Sequence, residues 1–229
     1  MVKSYFVAGT DTEVGKTHVT AALLASAAQR GLTTAAVKPV ASGCEETADG
    51  LRNADALLLQ RAMTLELPYQ QVNPIALEPA IAPHIAAMEA GRRLDVSRMA
   101  GVCRGVMSAG ADLVLIEGAG GWRTPLGPRT FLSQLPRELD IPVILVVGMQ
   151  LGCINHALLT AEAVHRDGLA LAGWVANFRS PVPMSRPDEN LATLKTLLPA
   201  PLLGVLPFDP QADYRSAAAH LDPTPLLPG

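Results

Sequence analysis

The sequence predicts one α/β domain over residues 1–222, built on a doubly wound, mostly parallel sheet that is flanked by helices. Short runs rich in valine and isoleucine alternate with longer stretches rich in alanine and leucine, which is the β-then-α rhythm of such domains. The runs at 112–116 and 142–147 are apolar at almost every position, so both faces of these strands are expected to be buried. Strands buried on both faces are typical of parallel sheets covered by helices.

Glycine and proline set the bounds of the predicted elements. The first apolar run, 4–8, stops at Gly9, and the helix that follows it ends before Gly31. Pro39 comes directly after the second strand and prevents its extension. The predicted strands are 4–8, 33–37, 112–116, 142–147, 171–175 and 202–206, and the predicted helices are 16–29, 157–166 and 191–198.

Two proline-rich stretches lack a clear pattern. Residues 67–90 contain four prolines and are expected to form a long irregular excursion. Residues 223–229 contain three more prolines at the end of the chain, which predicts a flexible tail outside the domain.

The composition excludes several classes of protein. Hydrophobic residues make up 49% of the 229 residues and charged residues 17%, so most of the chain is not intrinsically disordered. The net charge of −3 leaves no basic excess, and we expect no nucleic-acid partner. No apolar run predicts a membrane span, and the first turn comes too early for a secretory signal. The chain has three widely spaced cysteines, Cys44, Cys103 and Cys153. They favour a reducing compartment, so the expected location is the cytoplasm.

A phosphate-binding loop is predicted at residues 9–17, Gly-Thr-Asp-Thr-Glu-Val-Gly-Lys-Thr, between the first strand and the first helix. Backbone N–H groups of such a loop line a concave nest at the positive end of a helix. Lys16 can reach β- and γ-phosphates, and the Thr17 hydroxyl can ligate Mg²⁺. Five residues rather than the usual four separate Gly9 from Gly15, so the loop is an extended variant. A turn that only caps the helix would not explain Lys16, because a cation in the first helical turn is unfavourable by ~0.3–1 kcal/mol.

Charged side chains are also found at or just after the ends of other predicted elements, and the carboxyl ends of parallel strands meet at one edge of a sheet. Lys38 could be an ordinary surface lysine. Together with Lys16, however, it could stabilise an oxyanion that changes shape during a reaction. Glu117 ends a buried strand, where a carboxylate can hold Mg²⁺ or its water. Asp55 leaves two alternatives open, because the helix dipole alone favours an acidic residue in a first turn. No guanine-reading Asn-Lys-x-Asp motif occurs, so adenine is favoured over guanine.

The chain resembles the dethiobiotin synthetase family along nearly its whole length. The extended loop and the segment Leu-Gly-Cys-Ile-Asn-His at 151–156 are together specific to that family rather than to ATPases in general. A fold like that of P-loop NTPases is implied by this resemblance. The matching segments lie at 9–17, 38–43, 50–57, 72–74, 83–85, 117–122, 151–156, 173–177 and 199–204.

The activity implied by the resemblance is that of an ATP-dependent ligase of biotin biosynthesis, which closes a ureido ring on 7,8-diaminononanoate with CO₂ (bicarbonate). One amine captures CO₂ as a carbamate, and ATP phosphorylates the carbamate to a carbamic–phosphoric anhydride. The second amine then attacks that carbon and expels phosphate. Mg²⁺ and a homodimer with the substrate site at its interface are implied as well.

The resemblance also implies roles for individual residues. Three residues would be catalytic: Thr12, Lys16 and Lys38. Three would hold the metal: Thr17, Asp55 and Glu117. Ser42 would lie by the reacting end of the substrate, and its carboxylate tail would meet Gly152, Cys153 and Asn155, of which the last could equally cap a helix. The expected nucleotide-binding residues are Glu13, Val14, Gly15, Lys16, Thr17, His18, Glu117, Gly118, Ala119, Gly120, Asn177, Pro207, Phe208 and Asp209.

Part of the chain departs from the family pattern. After Pro207 no residue aligns clearly with the acidic contact to the nucleoside, so the sequence leaves the ribose contacts open. Arg92, Arg93 and the loop at 179–186 receive no role.

Two other functions fit parts of the sequence. A related amidoligase or a partitioning-type ATPase uses a similar loop, but such ATPases usually carry a lysine early in the loop, where this chain has Thr10 and Asp11. A regulatory module that binds a nucleotide without turnover has no need of Lys38 or Glu117, and both are present.

Overall fold

Strands and helices alternate along residues 2–182, 184–211 and 213–227, the parts of the chain described by this computed structural model. The strands are β1 (Lys3–Gly9), β2 (Thr34–Val37), β3 (Val40–Ala41), β4 (Ile75–Ala76), β5 (Leu113–Gly121), β6 (Pro125–Gly127), β7 (Thr130–Phe131), β8 (Val143–Gly148), β9 (Leu171–Asn177) and β10 (Leu202–Leu206). The α-helices are α1 (Lys16–Ala28), α2 (Ala54–Ala62), α3 (Tyr69–Val72), α4 (Pro83–Glu89), α5 (Val96–Met107), α6 (Gln134–Leu139), α7 (Cys153–Arg166), α8 (Pro187–Leu197) and α9 (Tyr214–Ala217). None of the described helices is both long and apolar enough to span a membrane.

Six strands form one parallel sheet in the order β10-β9-β8-β1-β5-β2. The chain fills one side of β1 first and then crosses to β8 on the other side, so the direction of winding changes beside β1. This arrangement confirms the predicted doubly wound α/β fold. In such sheets, ligands bind outside the carboxyl ends of the strands at this switch point, which here is where β1 runs into the phosphate loop.

The central strands are buried on both faces, as their continuous apolar runs predict. Every residue from Val143 to Val147 is buried, as is every residue from Leu113 to Glu117. Helix α1 packs against β5 on one side and against α2 and α9 on others, and most of its small side chains are therefore buried. The three cysteines are free thiols in this interior.

The stretch 67–90 is more regular than predicted. It contains α3, β4 and α4, and two of its prolines stand at helix starts. Pro68 is the N-cap residue of α3 and Pro83 is the first residue of α4, positions at which a missing N–H is not needed for helical hydrogen bonding. These prolines begin helices rather than prevent them.

The prediction of a flexible tail at 223–229 is wrong for residues 223–227. Thr224–Leu226 forms a short 3₁₀ helix, and the Leu226 side chain is 0% exposed. The buried Tyr5 hydroxyl donates a hydrogen bond to the Leu226 carbonyl oxygen at 2.6 Å. An apolar side chain that finds a site beside β9 outweighs the effect of the prolines around it. Residues 228 and 229 lie outside the described residues.

We expect Leu226→Ala to lower the free energy of unfolding by about 2–5 kcal/mol, because it leaves a cavity in the core. Leu197→Ala is the matched control, since Leu197 is 49% exposed and its truncation should change stability by less than about 1 kcal/mol. Urea denaturation of the two variants measures the difference. Equal stabilities would show that the C-terminal segment does not pack as described.

Candidate active site

The phosphate loop has the backbone conformation that an anion-binding nest requires. Glu13 and Gly15 both have left-handed backbone conformations, with φ values of 59° and 86°, and α1 begins directly after Gly15. Gly9 has no space for a side chain, because a Cβ atom there would lie 2.7 Å from Cγ2 of Val14. Alternation of helical and left-handed residues turns successive N–H groups toward the same concave side.

Lys16 is held at this loop in a position shielded from solvent. Its side chain is buried, and its ammonium group donates to the carbonyl oxygen of Asp11 at 3.1 Å. Burial lowers the pKa of Lys16 to about 8, and the nearby Lys38 adds to the decrease while Glu117 opposes it. Its charge is only partly compensated, which favours the binding of an anion beside it.

Lys38 joins two carboxylates from distant parts of the chain. Its ammonium group lies 2.5 Å from Oδ2 of Asp55 and 2.8 Å from Oε1 of Glu117. The Thr17 hydroxyl donates to the same Glu117 oxygen at 2.7 Å. The other oxygen of Glu117, Oε2, is buried and has no hydrogen-bond partner among the described residues. We call the four residues Thr17, Lys38, Asp55 and Glu117 the charged cluster.

Lys38 and Asp55 shift each other's pKa toward the charged forms. Burial lowers the pKa of Lys38, but the two carboxylates raise it by more, so that it ends above the usual value. Burial raises the pKa of Asp55, but the charge and hydrogen bond of Lys38 lower it by more, so that it ends below the usual value. Each partner therefore stabilises the charged form of the other.

Local structure explains how Lys38 and Asp55 come to face each other. The Asn73 side chain donates to the Lys38 carbonyl oxygen at 2.7 Å and fixes the backbone that follows β2. The Asn53 side chain caps α2 by accepting from the Ala56 N–H, which places Asp55 in the first helical turn. Asp55 therefore lies in the first turn of α2, as the helix-dipole alternative expects, and it also pairs with Lys38. Its role as a metal ligand stays a prediction.

A pocket of about 300 Å³ opens beside the phosphate loop. Asn177 links the two, because its buried side-chain N–H₂ donates to the Val14 carbonyl oxygen at 2.8 Å. A carbonyl oxygen can only accept, so the amide nitrogen faces the loop and the amide oxygen is left for another donor. The pocket is lined by His18, Asn177, Phe178, Arg179, Leu206, Pro207, Phe208, Asp209, Pro210, Ser216, Ala217 and His220.

Comparison with known proteins identifies the family to which these features belong. The chain matches the AAA domain family over residues 3–216. It is 59% identical over 223 residues to an ATP-dependent dethiobiotin synthetase of Pseudomonas paraeruginosa, and the match covers 97% of each chain. A second such synthetase, from Cellvibrio japonicus, is 56% identical over 225 residues and 98% of each chain. The chain belongs to the dethiobiotin synthetase family.

Solved structures of low sequence identity share the fold of this family member. A chain of the MinC:MinD cell division protein complex of Aquifex aeolicus matches it with a TM-score of 0.60 at 14% identity, over 95% of this chain and 86% of the other. A ParA family ATPase of Chlorobium tepidum matches with a TM-score of 0.55 at 13% identity, over 96% and 91%. These likenesses concern the overall fold alone.

Two groups of predicted site residues come together in the structure. The charged cluster unites the three residues expected to hold a metal with Lys38, and Lys16 lies close enough to interact with all three charged members. The pocket unites five of the expected nucleotide-binding residues, which are His18, Asn177, Pro207, Phe208 and Asp209.

The glycine-rich segment after Glu117, residues 118–121, forms the last part of β5 and is packed tightly against β1. We call it the glycine-rich turn because Gly120 has a left-handed backbone. A Cβ atom on Gly118 would lie 2.8 Å from the Phe6 ring, and Gly120 has a left-handed backbone with φ 63°. The Ala119 carbonyl oxygen accepts a hydrogen bond from the Thr124 hydroxyl at 2.7 Å. A Cβ atom on Gly120 would lie 3.6 Å from the Thr12 hydroxyl, so the turn and the phosphate loop face each other.

The residues expected to bind the substrate fall into two places. The Ser42 hydroxyl is buried after β3 and has no hydrogen-bond partner among the described residues. Gly152 is the left-handed N-cap residue of α7, Cys153 is buried, and Asn155 is exposed in the first turn. Helix α7 begins four residues earlier than predicted, so Gly152 and not Asn155 holds the cap position. No hydrogen bond in the described part of this one chain links these α7 residues to the charged cluster.

Several residues of the pocket were not predicted from the sequence. Phe178, Arg179, Ser216, Ala217 and His220 line it. The last three lie near α9, a helix of four residues that is too short to show a helical pattern and that reaches the site by packing against α1. Only Arg179 had a sequence cue, because it follows Asn177 closely at the end of a strand.

We expect Gly15→Ala to weaken ATP binding by at least about tenfold, since a Cβ atom there would overlap the Asn177 amide and the backbone is left-handed. Gly31→Ala is the matched control: Gly31 follows the other end of α1, also has a positive φ of 82°, and has open space around it. Both variants carry a similar backbone penalty of about 1–2 kcal/mol. Calorimetric titration with ATP should separate them, and equal affinities would contradict the assigned loop geometry.

Proposed function

We propose that the charged cluster and the phosphate loop together make the dethiobiotin ureido ring from 7,8-diaminononanoate, CO₂ and ATP. Family membership supports the overall reaction, an ATP-dependent ligation that forms C–N bonds in biotin biosynthesis. The structural observation that carries the proposal is Lys38, held between Asp55 and Glu117 beside the loop. In this proposal, a triphosphate and a carbamate would meet beside Lys16 and Lys38.

The proposed reaction has three steps. One amine of the substrate attacks CO₂ and loses a proton, which gives a carbamate. A carbamate oxygen attacks the γ-phosphorus of ATP, so that ADP leaves and a carbamic–phosphoric anhydride forms. The second amine attacks the carbonyl carbon, the C–O bond to phosphate breaks, and a cyclic urea and inorganic phosphate result.

Lys16 and Lys38 would offset the negative charge that these steps concentrate. A carbamate beside a triphosphate brings several anionic oxygens together, and fixed cations in a site with restricted water stabilise such charge most strongly. Thr12 faces the glycine-rich turn and Ser42 has a free buried hydroxyl, so both suit hydrogen bonds to the reacting end of the diamine. The carbamate would lie between them and Lys38.

Thr17, Asp55 and Glu117 would hold Mg²⁺. The described residues contain no group of three or more histidine, cysteine, aspartate or glutamate side chains arranged for a metal. Mg²⁺ commonly takes only one or two carboxylates and fills its remaining positions with waters and phosphate oxygens, which fits this donor set. The unpartnered buried Oε2 of Glu117 is the atom that such an ion would satisfy. When bound, the ion would neutralise charge on the β- and γ-phosphates.

The nucleotide would extend from the pocket to the charged cluster. The adenine would lie against Asn177, whose free amide oxygen can accept from its amino group, and beside Pro207, Phe208 and Asp209. The phosphates would follow the N–H groups of the loop from Glu13 to His18 and reach the turn from Glu117 to Gly120. Adenine presents an amino donor where guanine presents a carbonyl acceptor, so this pocket favours ATP.

The carboxylate tail of the substrate would bind in a homodimer, on the partner's α7. The start of α7 offers the backbone of Gly152 and Cys153 and an exposed side-chain amide at Asn155, which suits a carboxylate. The Cys153 N–H donates to the Gln150 carbonyl oxygen at 2.9 Å and would be shared with that carboxylate. Leu151 beside them is 94% exposed, which is unusual for an apolar side chain and consistent with a covered face. We infer a cytoplasmic enzyme, in keeping with its small-molecule substrates.

Incorporation of labelled bicarbonate into a cyclic urea by the purified protein tests this function. We expect label in the product only when ATP, Mg²⁺ and the diamine are all present, with one phosphate released per ring. Phosphate release that ignores the diamine would instead indicate a partitioning-type ATPase. No release in any mixture would indicate a nucleotide-binding module.

We expect Lys38→Met to reduce labelled-bicarbonate incorporation by about 100-fold or more while the affinity for ATP changes much less, because Lys38 serves the carbamate. Lys195→Met is the control, since Lys195 is exposed on α8 and far in sequence from every cluster residue. The substitution leaves buried Glu117 with one partner fewer, so thermal unfolding should accompany the assay. Unchanged incorporation in a folded Lys38→Met protein would refute this role.

Lys16→Gln should nearly abolish both ATP binding and turnover, because it removes a partly compensated charge from the loop. Steady-state kinetics and ATP titration provide the two readouts. Activity like that of the wild type would remove the loop from the mechanism.

A further inference from the structure

Arg179 lies directly on the phosphate loop, although nothing in the sequence assigned it a role. A Cβ atom built on Gly15 would be 3.0 Å from Cδ and 3.1 Å from Nη1 of Arg179. The arginine also lines the pocket together with His18 and Asn177. Its guanidinium group therefore covers the N-terminus of α1 at the place where the pocket meets the loop.

The charge of Arg179 lacks a counter-charge in this arrangement. The ion pairs among the described residues do not include it, whereas five other arginines each pair with a carboxylate: Arg30, Arg104, Arg123, Arg186 and Arg215. Arg179 is also placed against the positive end of a helix, which is unfavourable for a cation. Its charge helps, after burial, to lower the pKa of the neighbouring His18. An anion bound between Arg179 and the helix end would satisfy both positive groups.

The position of Arg179 indicates which phosphate it would meet. The ammonium group of Lys16 is directed to the Asp11 side of the loop and toward Lys38, where the transferred phosphate belongs. Arg179 is instead on the pocket side, next to Gly15 and His18. If the base of a nucleotide lies in the pocket, its α-phosphate, which is attached to the ribose, would lie next to Arg179.

We propose that Arg179 binds the α-phosphate of the nucleotide and so makes the site selective for adenine nucleotides over the nucleoside. This inference rests on the proposed function, because it takes the base to be in the pocket and the phosphates on the loop. The planar guanidinium offers paired N–H donors that match two phosphate oxygens. Arg179 thus contributes to binding, while Lys16 and Lys38 serve the reacting groups.

Binding of adenosine, AMP, ADP and ATP to Arg179→Gln separates the α-phosphate from the rest of the ligand. We expect the three nucleotides to lose affinity by a similar factor of about 10- to 100-fold, as for a charge-assisted hydrogen bond, and adenosine to bind as it does to the wild type. Competition against labelled ATP measures all four ligands on one scale. Arg186→Gln is the matched control, because Arg186 belongs to the same loop, pairs with Glu189 and is 80% exposed, and should leave all four affinities unchanged.

Three results would overturn the proposal. An equal loss for adenosine would show that Arg179 stacks on the base, and a loss confined to ADP and ATP would show contact with the outer phosphates. Four unchanged affinities would show that Arg179 does not touch the ligand.

Lys16→Gln distinguishes this inference from the function on which it rests. If that variant loses ATP affinity while Arg179→Gln does not, only the role of Arg179 falls. If it binds all four ligands like the wild type, the proposed nucleotide site falls and the inference falls with it.

Discussion

The buried carboxylate of Glu117 is the constraint on which the site depends. Its side chain is 0% exposed, and burial of an unpaired charge of this kind costs several kcal/mol. Lys38 and the Thr17 hydroxyl compensate one of its oxygens, and these partners come from the end of β2 and the start of α1. Satisfying one carboxylate therefore brings β5, the end of β2 and the start of α1 to a common position. Its second oxygen is left as the acceptor that a ligand would complete.

A second interaction ties the pocket to the phosphate loop. Asn177 ends β9, and its hydrogen bond to Val14 connects that strand with the phosphate loop across β8 and β1. Because the amide nitrogen is engaged with the loop, the amide oxygen has a defined direction. The positions of the pocket and the loop are consequently set together, as pre-organised binding requires.

The fold of this protein is shared by proteins outside its family, whereas high sequence identity is found within the family. The fold is shared with a chain of the MinC:MinD complex and with a ParA family ATPase at 13–14% identity, a likeness that concerns the scaffold alone. The identity of 56–59% to dethiobiotin synthetases extends over nearly the full length of the chain. A parallel sheet can carry many reactions because its loops vary while its buried strands do not.

The sequence by itself determined the α/β class, the six strands of the main sheet and the phosphate loop, because these are local patterns: runs of consecutive apolar residues and glycines at fixed spacing before a lysine. Lys38, Asp55 and Glu117 could be proposed from it, but their mutual contact could not, since Lys38 and Glu117 are 79 residues apart. Only the tertiary structure decided that contact, the pocket to which α9 contributes, the place of Arg179, and the burial of Leu226 where prolines predicted a loose end. Each of these depends on how distant segments pack, and packing is decided by the whole interior rather than by any short stretch of chain.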